Sequence, residues 1–338
     1  MALGRVGRMR RMNRARSALD QVYEELSGLP GVHVERDAVL ARYARFGIGG
    51  PADLLASISN PEAFMEAWRV SRESGIRTVV IGGGSNLIVA DAGFRGLVLK
   101  LANEGLRADN TSVYVDSGVD LQQLVDFTID NGLKGIETMT GIPGSTGGAV
   151  YGNAGAYGHS IAERISSVRF FDGISCREID NAGCAFRYRE SVFKKRKDWI
   201  VLSASLSMET GERASLREAA DKIRTIRDKK YPPSMKCAGS IFKNFLAVDL
   251  PASVVSEIPP KVIIEGKVPS AWFLEQVNAK GMRVGDIQVA DYHANLIYND
   301  GNGTARDVVT IIRELKRRVE ERFGIAVEEE VQYVGFSI

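Results

Sequence analysis

The chain has 338 residues, 44% of them hydrophobic and 25% charged, which is ordinary globular composition with length for two or three cored domains. Its net charge of +2 is carried by Arg5, Arg8, Arg10, Arg11, Arg14 and Arg16, all ahead of the first acid, Asp20. Without those six, 38 basic residues face 42 acidic ones, a net of −4, which argues against a nucleic-acid groove across the body. The basic tail has no apolar stretch of the secretory kind and reads as a frayed terminus or an over-long start rather than a binder of acidic surfaces. No window approaches the apolar length of a membrane span. Cys176, Cys184 and Cys237 are odd in number and form no CxxC, which points to a reducing, cytoplasmic setting. His33, His159 and His293 are too scattered for a metal site, so no metal is expected. Composition does not define an oligomeric state; a monomer is favoured.

In chain order, Asn60-Pro61-Glu62 starts a helix with an N-cap, a proline at N1 and an acid in the first turn, and Gly75 closes it. Thr78–Ile81 reads as a buried strand leading into Gly82-Gly83-Gly84-Ser85-Asn86. A dinucleotide fingerprint would need a third small residue and a long helix next. Leu87 fills that place, Asp91-Ala92-Gly93 turns the chain soon after, and Glu104 is a lone acid. Val113-Tyr114-Val115 is a strand, and Asp120 to Asp130 a helix facing Leu121, Leu124, Val125 and Phe127 inward, with Gly132 ending it. Strands follow at Val168–Phe171 and Ile200–Met208, then a capping box Ser215 to Glu218 opens a helix to about Lys230. Pro232-Pro233 breaks it and marks a domain boundary. Beyond it, Ala271–Val277 reads as helix and Leu296–Tyr298 as strand. Val308, Ile311, Ile312, Leu315, Val319 and Phe323 line one face of a long helix, and Val327–Val334 is a closing strand.

Between two of these elements lies GIPGSTGGAVYGNAGAYG, Gly141 to Gly158, with seven glycines in eighteen residues and no charged side chain. Glycine is entropically costly to order, so this density implies a backbone that turns at positive φ or lies close against something. Ile142, Val150, Tyr151 and Tyr157 distinguish it from a flexible linker. Without Lys or Arg, the ligand that suits it is an anion held by main-chain N–H dipoles. Two such loops, each fed by a strand, suit a diphosphate; a tight turn packed on its own helix would explain one loop but not both.

The stretches RFGIGGPADLL, IGGGSNLIVADAGFRGLVL, GIPGSTGGAVYGNAGAYG, FRYRESVFK, AGSIFKN and VEEEVQYVG occur in the order seen in the UDP-N-acetylenolpyruvoylglucosamine reductases, which this chain resembles from about Arg45 to Gly335. The resemblance implies an α+β fold: a two-subdomain FAD-binding fold of the vanillyl-alcohol-oxidase type plus a C-terminal α+β substrate domain. The expected divisions are 1–40, a basic tail and first helix; 41–103 and 104–232, the two FAD-binding subdomains; and 233–338, the substrate domain. It also implies that FAD is held by Gly49, by Gly82, Gly83, Gly84, Ser85, Asn86 and Leu87, and by Gly141, Pro143, Gly144, Ser145, Gly148, Asn153, Gly155 and Ala156.

In that family NADPH reduces FAD, and hydride passes to the β carbon of the enolpyruvyl ether of UDP-N-acetylglucosamine enolpyruvate, giving UDP-N-acetylmuramate for peptidoglycan synthesis. Charge left at the α carbon and its carboxylate needs stabilisation and an acid. By the resemblance, Ser240 is the proton donor, Arg189 the carboxylate-polarising group and Glu330 its acidic partner, while Tyr188, Arg227, Lys230 and Asn244 contact substrate or NADPH. Read as residues alone, Ser240 after Gly239 is a turn residue, and Arg189 alternates with Arg187 on a solvated strand face. Glu330 shares a face with Glu328 and Gln332, and only the alignment of Val331 and Gly335 selects it. Lys229 competes equally with Lys230, and Tyr188 fits a core as well as a ligand.

Phe245 stands where the family has proline, and Gly285-Asp286-Ile287 where it has Gly-Gly-Ala. Neither touches the three catalytic positions. No tyrosine-bearing insertion separates Tyr188 from Lys230, which matches the shorter subclass. The rival flavoenzyme is an oxidase of the same fold with covalent FAD; only His159 lies near the loops to carry the link, so noncovalent FAD is expected. A non-catalytic nucleotide-binding protein would make AGSIFKN and VEEEV coincidental. Because all six tail arginines precede the first predicted helix, deletion of residues 1–16 is expected to leave flavin content and turnover nearly unchanged, and a severalfold loss of either would show that the tail binds or packs.

Overall fold

The computed structural model describes residues 17–336, so the arginine tail lies outside the described residues. Two compact units are interleaved along the chain. One comprises the described residues up to Ala38 with Pro51–Gly83 and Phe94–Ile223; the other comprises Val39–Gly50, Gly84–Gly93 and the described residues from Arg224 onward.

The first unit is built on two sheets. In the four-stranded sheet the order is Val32–Val39, Pro51–Ile58, Phe94–Leu101, Thr78–Ile81, and Phe94–Leu101 pairs in parallel with the strand on either side. Parallel strands need crossovers, and the helix Pro61–Ser74 carries the chain from Pro51–Ile58 past the Phe94–Leu101 position to Thr78–Ile81. Asn60 caps that helix, its side chain accepting from the Ala63 amide at 2.8 Å, and the helix stops at left-handed Gly75. Its buried Phe64, Ala67 and Val70 pack with Leu54, Leu97 and Leu99 and with Val22 and Leu26 of a helix over residues 17–27. Thr78–Ile81 buries only Ile81; as the edge strand of this sheet it is less covered than its apolar sequence implies.

The second sheet is antiparallel, in the order Cys176–Asp180, Ile165–Phe171, Ile200–Ser207, Ser112–Asp116, Leu106–Asp109. The helix Leu121–Asp130 buries Leu121, Leu124, Val125, Thr128 and Ile129. Phe127 falls beside that stripe and is half-buried, because helical periodicity places i+7 and i+8, not i+6, on the face of residue i. The helix Arg213–Lys230 starts before Ser215: the Glu212 carboxylate accepts from the Ala214 and Ser215 amides at 3.0 and 2.7 Å, so Glu212 takes the capping role expected of Ser215.

The second unit holds an antiparallel sheet in the order Lys236–Ser240, Leu296–Asn299, Ile287–Val289, Arg283–Val284. Helix Ala305–Phe323, with a reciprocal Thr304–Asp307 cap, buries the six residues of the expected face. The closing strand is shorter than expected: only Gln332–Val334 forms one, parallel to Leu87–Val89. Upstream, Glu328 and Glu329 turn to different cations, Lys243 at 2.5 Å and Lys316 at 2.7 Å, and a single bridge, Phe242 to Glu329, replaces a ladder.

Asn60→Ala is expected to destabilise the first unit by about 1 kcal/mol, the usual worth of such a cap, and Asn60→Ser to recover most of it. Chemical denaturation of the two variants beside the parent measures both.

Candidate functional site

In the first unit the two glycine loops meet at one side chain. Ser145 caps the six-residue helix Thr146–Tyr151, an element the glycine content of this loop concealed. Its Oγ accepts from the Gly148 amide and, across 62 residues of sequence, from the Gly83 amide, both at 3.3 Å. A Cβ on Gly83 would lie 2.7 Å from Ser145 N and 2.8 Å from Gly144 Cα, and one on Gly82 would lie 2.8 Å from Ser145 Oγ. Only glycine allows this approach. Gly83 and Gly148 are exposed while Ser145 is buried, so the seam presents bare main chain, without charged side chains, to solvent. Gly141 donates its amide to Gln122 Oε1 at 2.7 Å, the Gly144 carbonyl accepts from Leu121, and the half-buried Pro143 lies between them.

The same loop is fastened to the turn that bears Arg189. Arg187 and Glu190 exchange backbone hydrogen bonds at 3.0 Å, so FRYRES forms a four-residue turn rather than a solvated strand. Arg189, its third residue, has φ +54, a left-handed conformation unfavourable for a side-chain-bearing residue. Three contacts hold it: Arg189 Nη2 donates to the Gly155 carbonyl at 3.1 Å, Asn153 Nδ2 to Arg187 O at 2.8 Å and Lys194 Nζ to Arg189 O at 2.8 Å. Gly155–Ala156 pairs with His159–Ser160. Tyr188 and Arg189 are half-buried, with the guanidinium carbon 5.6 Å from the Tyr188 ring centre.

In the second unit, Ser240 ends the strand Lys236–Ser240. Cys237 pairs with Tyr298 but Ser240 pairs with Leu296, so one extra residue bulges the strand. Gly239 in that bulge has φ +75, which re-aims the following side chain. The Ser240 hydroxyl lies 3.2 Å from the Tyr231 hydroxyl. Glu330 is held alongside: its amide donates to Ile241 O at 2.8 Å, and its carbonyl accepts from Asn86 Nδ2 at 2.9 Å. Asn295 locks the segment after Ser240, with Nδ2 donating to Phe242 O at 2.8 Å and Oδ1 accepting from Phe242 N at 2.9 Å.

The remaining predicted positions gather in the same unit. Arg227 and Lys230 lie in the last turn of Arg213–Lys230, their cationic groups 5.6 and 5.2 Å from the Tyr231 ring centre. Tyr292 donates to Lys230 O at 2.9 Å. Burial, then the Lys230 charge, holds His293 down to about 4, so its ring is neutral at pH 7 and accepts from the Asn295 amide at 3.2 Å. Burial pushes the Cys237 thiol up. Asn244 Oδ1 accepts from Ser270 N at 3.2 Å. Gly49 packs on Val89. Gly84 is buried, Ser85, Asn86 and Leu87 are half-buried, and Leu87 opens the parallel strand. Sequence reasoning missed Tyr231, whose place before two prolines signalled only a helix end, and Asn295 and Lys194, which act through backbone carbonyls that no motif reports. Among the described residues, no group of three or more His, Cys, Asp or Glu is placed to hold a metal, and no helix is long and apolar enough to cross a membrane.

A charge-free main-chain seam at which two glycine loops close fits the diphosphate of a dinucleotide. Residues 52–173 match the family described as FAD binding domain, and fold and seam together define an α+β flavoprotein. Residues 231–334 match the family described as UDP-N-acetylenolpyruvoylglucosamine reductase, C-terminal domain. The UDP-N-acetylenolpyruvoylglucosamine reductase of Solibacter usitatus is 59% identical over 92% of this chain and 99% of its own length. That of Rubrobacter xylanophilus is 34% identical over 88% and 94%. The crystal structure of the Thermus caldophilus enzyme is similar at TM-score 0.70 and 29% identity, over 90% of this chain and 99% of that one. The chain belongs to the UDP-N-acetylenolpyruvoylglucosamine reductase family and is a flavin-dependent oxidoreductase.

Gly83→Ala is expected to push the two loops apart and to abolish copurifying flavin while far-ultraviolet circular dichroism stays unchanged. Parental flavin absorbance in that variant would show that the seam does not hold the cofactor.

Proposed function

We propose that this protein uses NADPH to reduce the enolpyruvyl ether of UDP-N-acetylglucosamine enolpyruvate to UDP-N-acetylmuramate, a step of peptidoglycan precursor synthesis. The main chain of Gly82, Gly83, Gly144, Ser145 and Gly148 would hold the FAD diphosphate noncovalently. Bound there and reduced by NADPH, FAD supplies the hydride for the β carbon. The chain's own residues then manage the charge left at the α carbon. Arg189 would polarise the substrate carboxylate, a role for which a guanidinium held by its own backbone contacts is preorganised. Ser240 would give its hydroxyl proton to the α carbon, with Glu330 as the acidic partner of the site. Arg227 and Lys230 would receive the substrate phosphates and NADPH, with Tyr188 and Asn244 completing the contacts.

The observation that carries this reading is the placement of Ser240. A hydroxyl is a weak acid and works only if aimed. Here a one-residue bulge aims it, and the next residue, Ile241, is fixed to both Glu330 and Asn295 through the backbone. A serine that merely made a turn would need none of this.

Stopped-flow absorbance separates the two half-reactions. General acid catalysis contributes on the order of 10² to 10⁴ in rate, so Ser240→Ala should slow flavin reoxidation by the enolpyruvyl substrate by that much and leave flavin reduction by NADPH largely intact. Reoxidation at the parental rate, or equal slowing of both halves, would return Ser240 to a turn residue.

A further inference from the structure

We propose that Tyr231 is a positioning residue for Ser240 and supplies the proton that restores its hydroxyl after each turnover. This rests on the reading of Ser240 as the proton donor and adds what that reading lacks, a route by which the serine regains its proton.

The geometry allows transfer between the two hydroxyls, and their acidities set its direction. The two hydroxyls lie 3.2 Å apart, longer than an optimal O–H···O bond, and such contacts tighten when one oxygen becomes anionic. A phenol is a much stronger acid than an aliphatic alcohol, so an alkoxide on Ser240 would draw the Tyr231 proton readily. The ring is well fixed for the task. It packs on the buried cluster of Cys237, Ala290 and Leu296, with Met235 and Tyr298 beside it. Arg227 and Lys230 flank its π-face, which is a further constraint on its orientation. Tyr231 is itself only half-buried, which leaves part of the side chain within reach of water.

The proton balance is simple. The Ser240 O–H breaks, its proton forms the new C–H bond at the α carbon, and the electron pair remains on Oγ. The Tyr231 O–H then breaks, its proton bonds to Oγ, and the phenolate takes a proton from water, releasing hydroxide to solvent. The hydride at the β carbon comes from reduced flavin, as in the proposed reaction. A purely structural tyrosine would serve as well without its hydroxyl, because its packing and cation contacts belong to the ring.

Tyr231→Phe in the flavin-loaded enzyme isolates that hydroxyl. Loss of positioning and relay should slow flavin reoxidation by the enolpyruvyl sugar nucleotide about 10- to 100-fold. Reduction by NADPH, flavin content and calorimetric affinity of the oxidised enzyme for the sugar nucleotide should stay as in the parent. Fluorotyrosine at position 231, which restores a hydroxyl, should recover the rate. In a Ser240→Ala background, Tyr231→Phe should cost nothing further. Parental reoxidation by Tyr231→Phe while Ser240→Ala is slow would overturn the relay and leave the serine assignment standing. Equal slowing in both backgrounds would show that Tyr231 does not act through Ser240. Parental reoxidation by Ser240→Ala would remove the underlying reading and this inference with it.

Discussion

Main chain meets main chain where Gly83 approaches Gly144 and Ser145, and beside it Gly82 faces the Ser145 hydroxyl, so a Cβ on either glycine would lie under 3 Å from Ser145. The constraint explains why glycine is concentrated at places so distant in sequence. Neither loop carries Lys or Arg, so an anion bound there would meet main-chain dipoles rather than charged side chains. A single side chain, Ser145, serves both loops with one oxygen, so the cap of a short helix doubles as the fastening of the seam.

The loop then extends its order to the chemistry. Asn153 and Gly155 grip the turn that holds Arg189 in a left-handed conformation, so glycine loop and candidate arginine form one preorganised piece of the first unit. The second unit solves a parallel problem with a bulge. Gly239 changes the register of one strand, and Asn295 and Glu330 secure the backbone that follows. In both cases a backbone irregularity is held by side-chain or main-chain partners, as expected where a functional group must be aimed against local preference.

Much of this was legible in the sequence where a periodic pattern and a cap agree. The helix Ala305–Phe323 buries each residue its apolar repeat named, and Asn60 caps as its Asn-Pro-Glu context predicts. Legibility failed where a competing contact decided the outcome. Glu212 outcompetes Ser215 for the helix start because its carboxylate reaches two amides. Glu328 to Glu330 bond to the backbone of Ile241 to Lys243 by one isolated bridge instead of extending the closing strand. The helix Thr146–Tyr151 is invisible to propensity because two of its six residues are glycine, and its tertiary setting overrides their cost. At the candidate site the motifs pointed to Ser240, Arg189 and Glu330, but not to Tyr231, Lys194 or Asn295. Their contacts with Ser240, Arg189 and Phe242 arise only in three dimensions, which a linear sequence does not display.

In the proposed reaction, two hydrogens pass from NADPH and solvent to an enolpyruvyl sugar nucleotide. The direct measurement is anaerobic incubation of the purified protein with NADPH and UDP-N-acetylglucosamine enolpyruvate, following NADPH absorbance and product mass together. The expected result is that NADPH is consumed one for one with the sugar nucleotide, whose product is heavier by two hydrogen atoms. NADPH oxidation that ignores the sugar nucleotide and ceases without oxygen would contradict it.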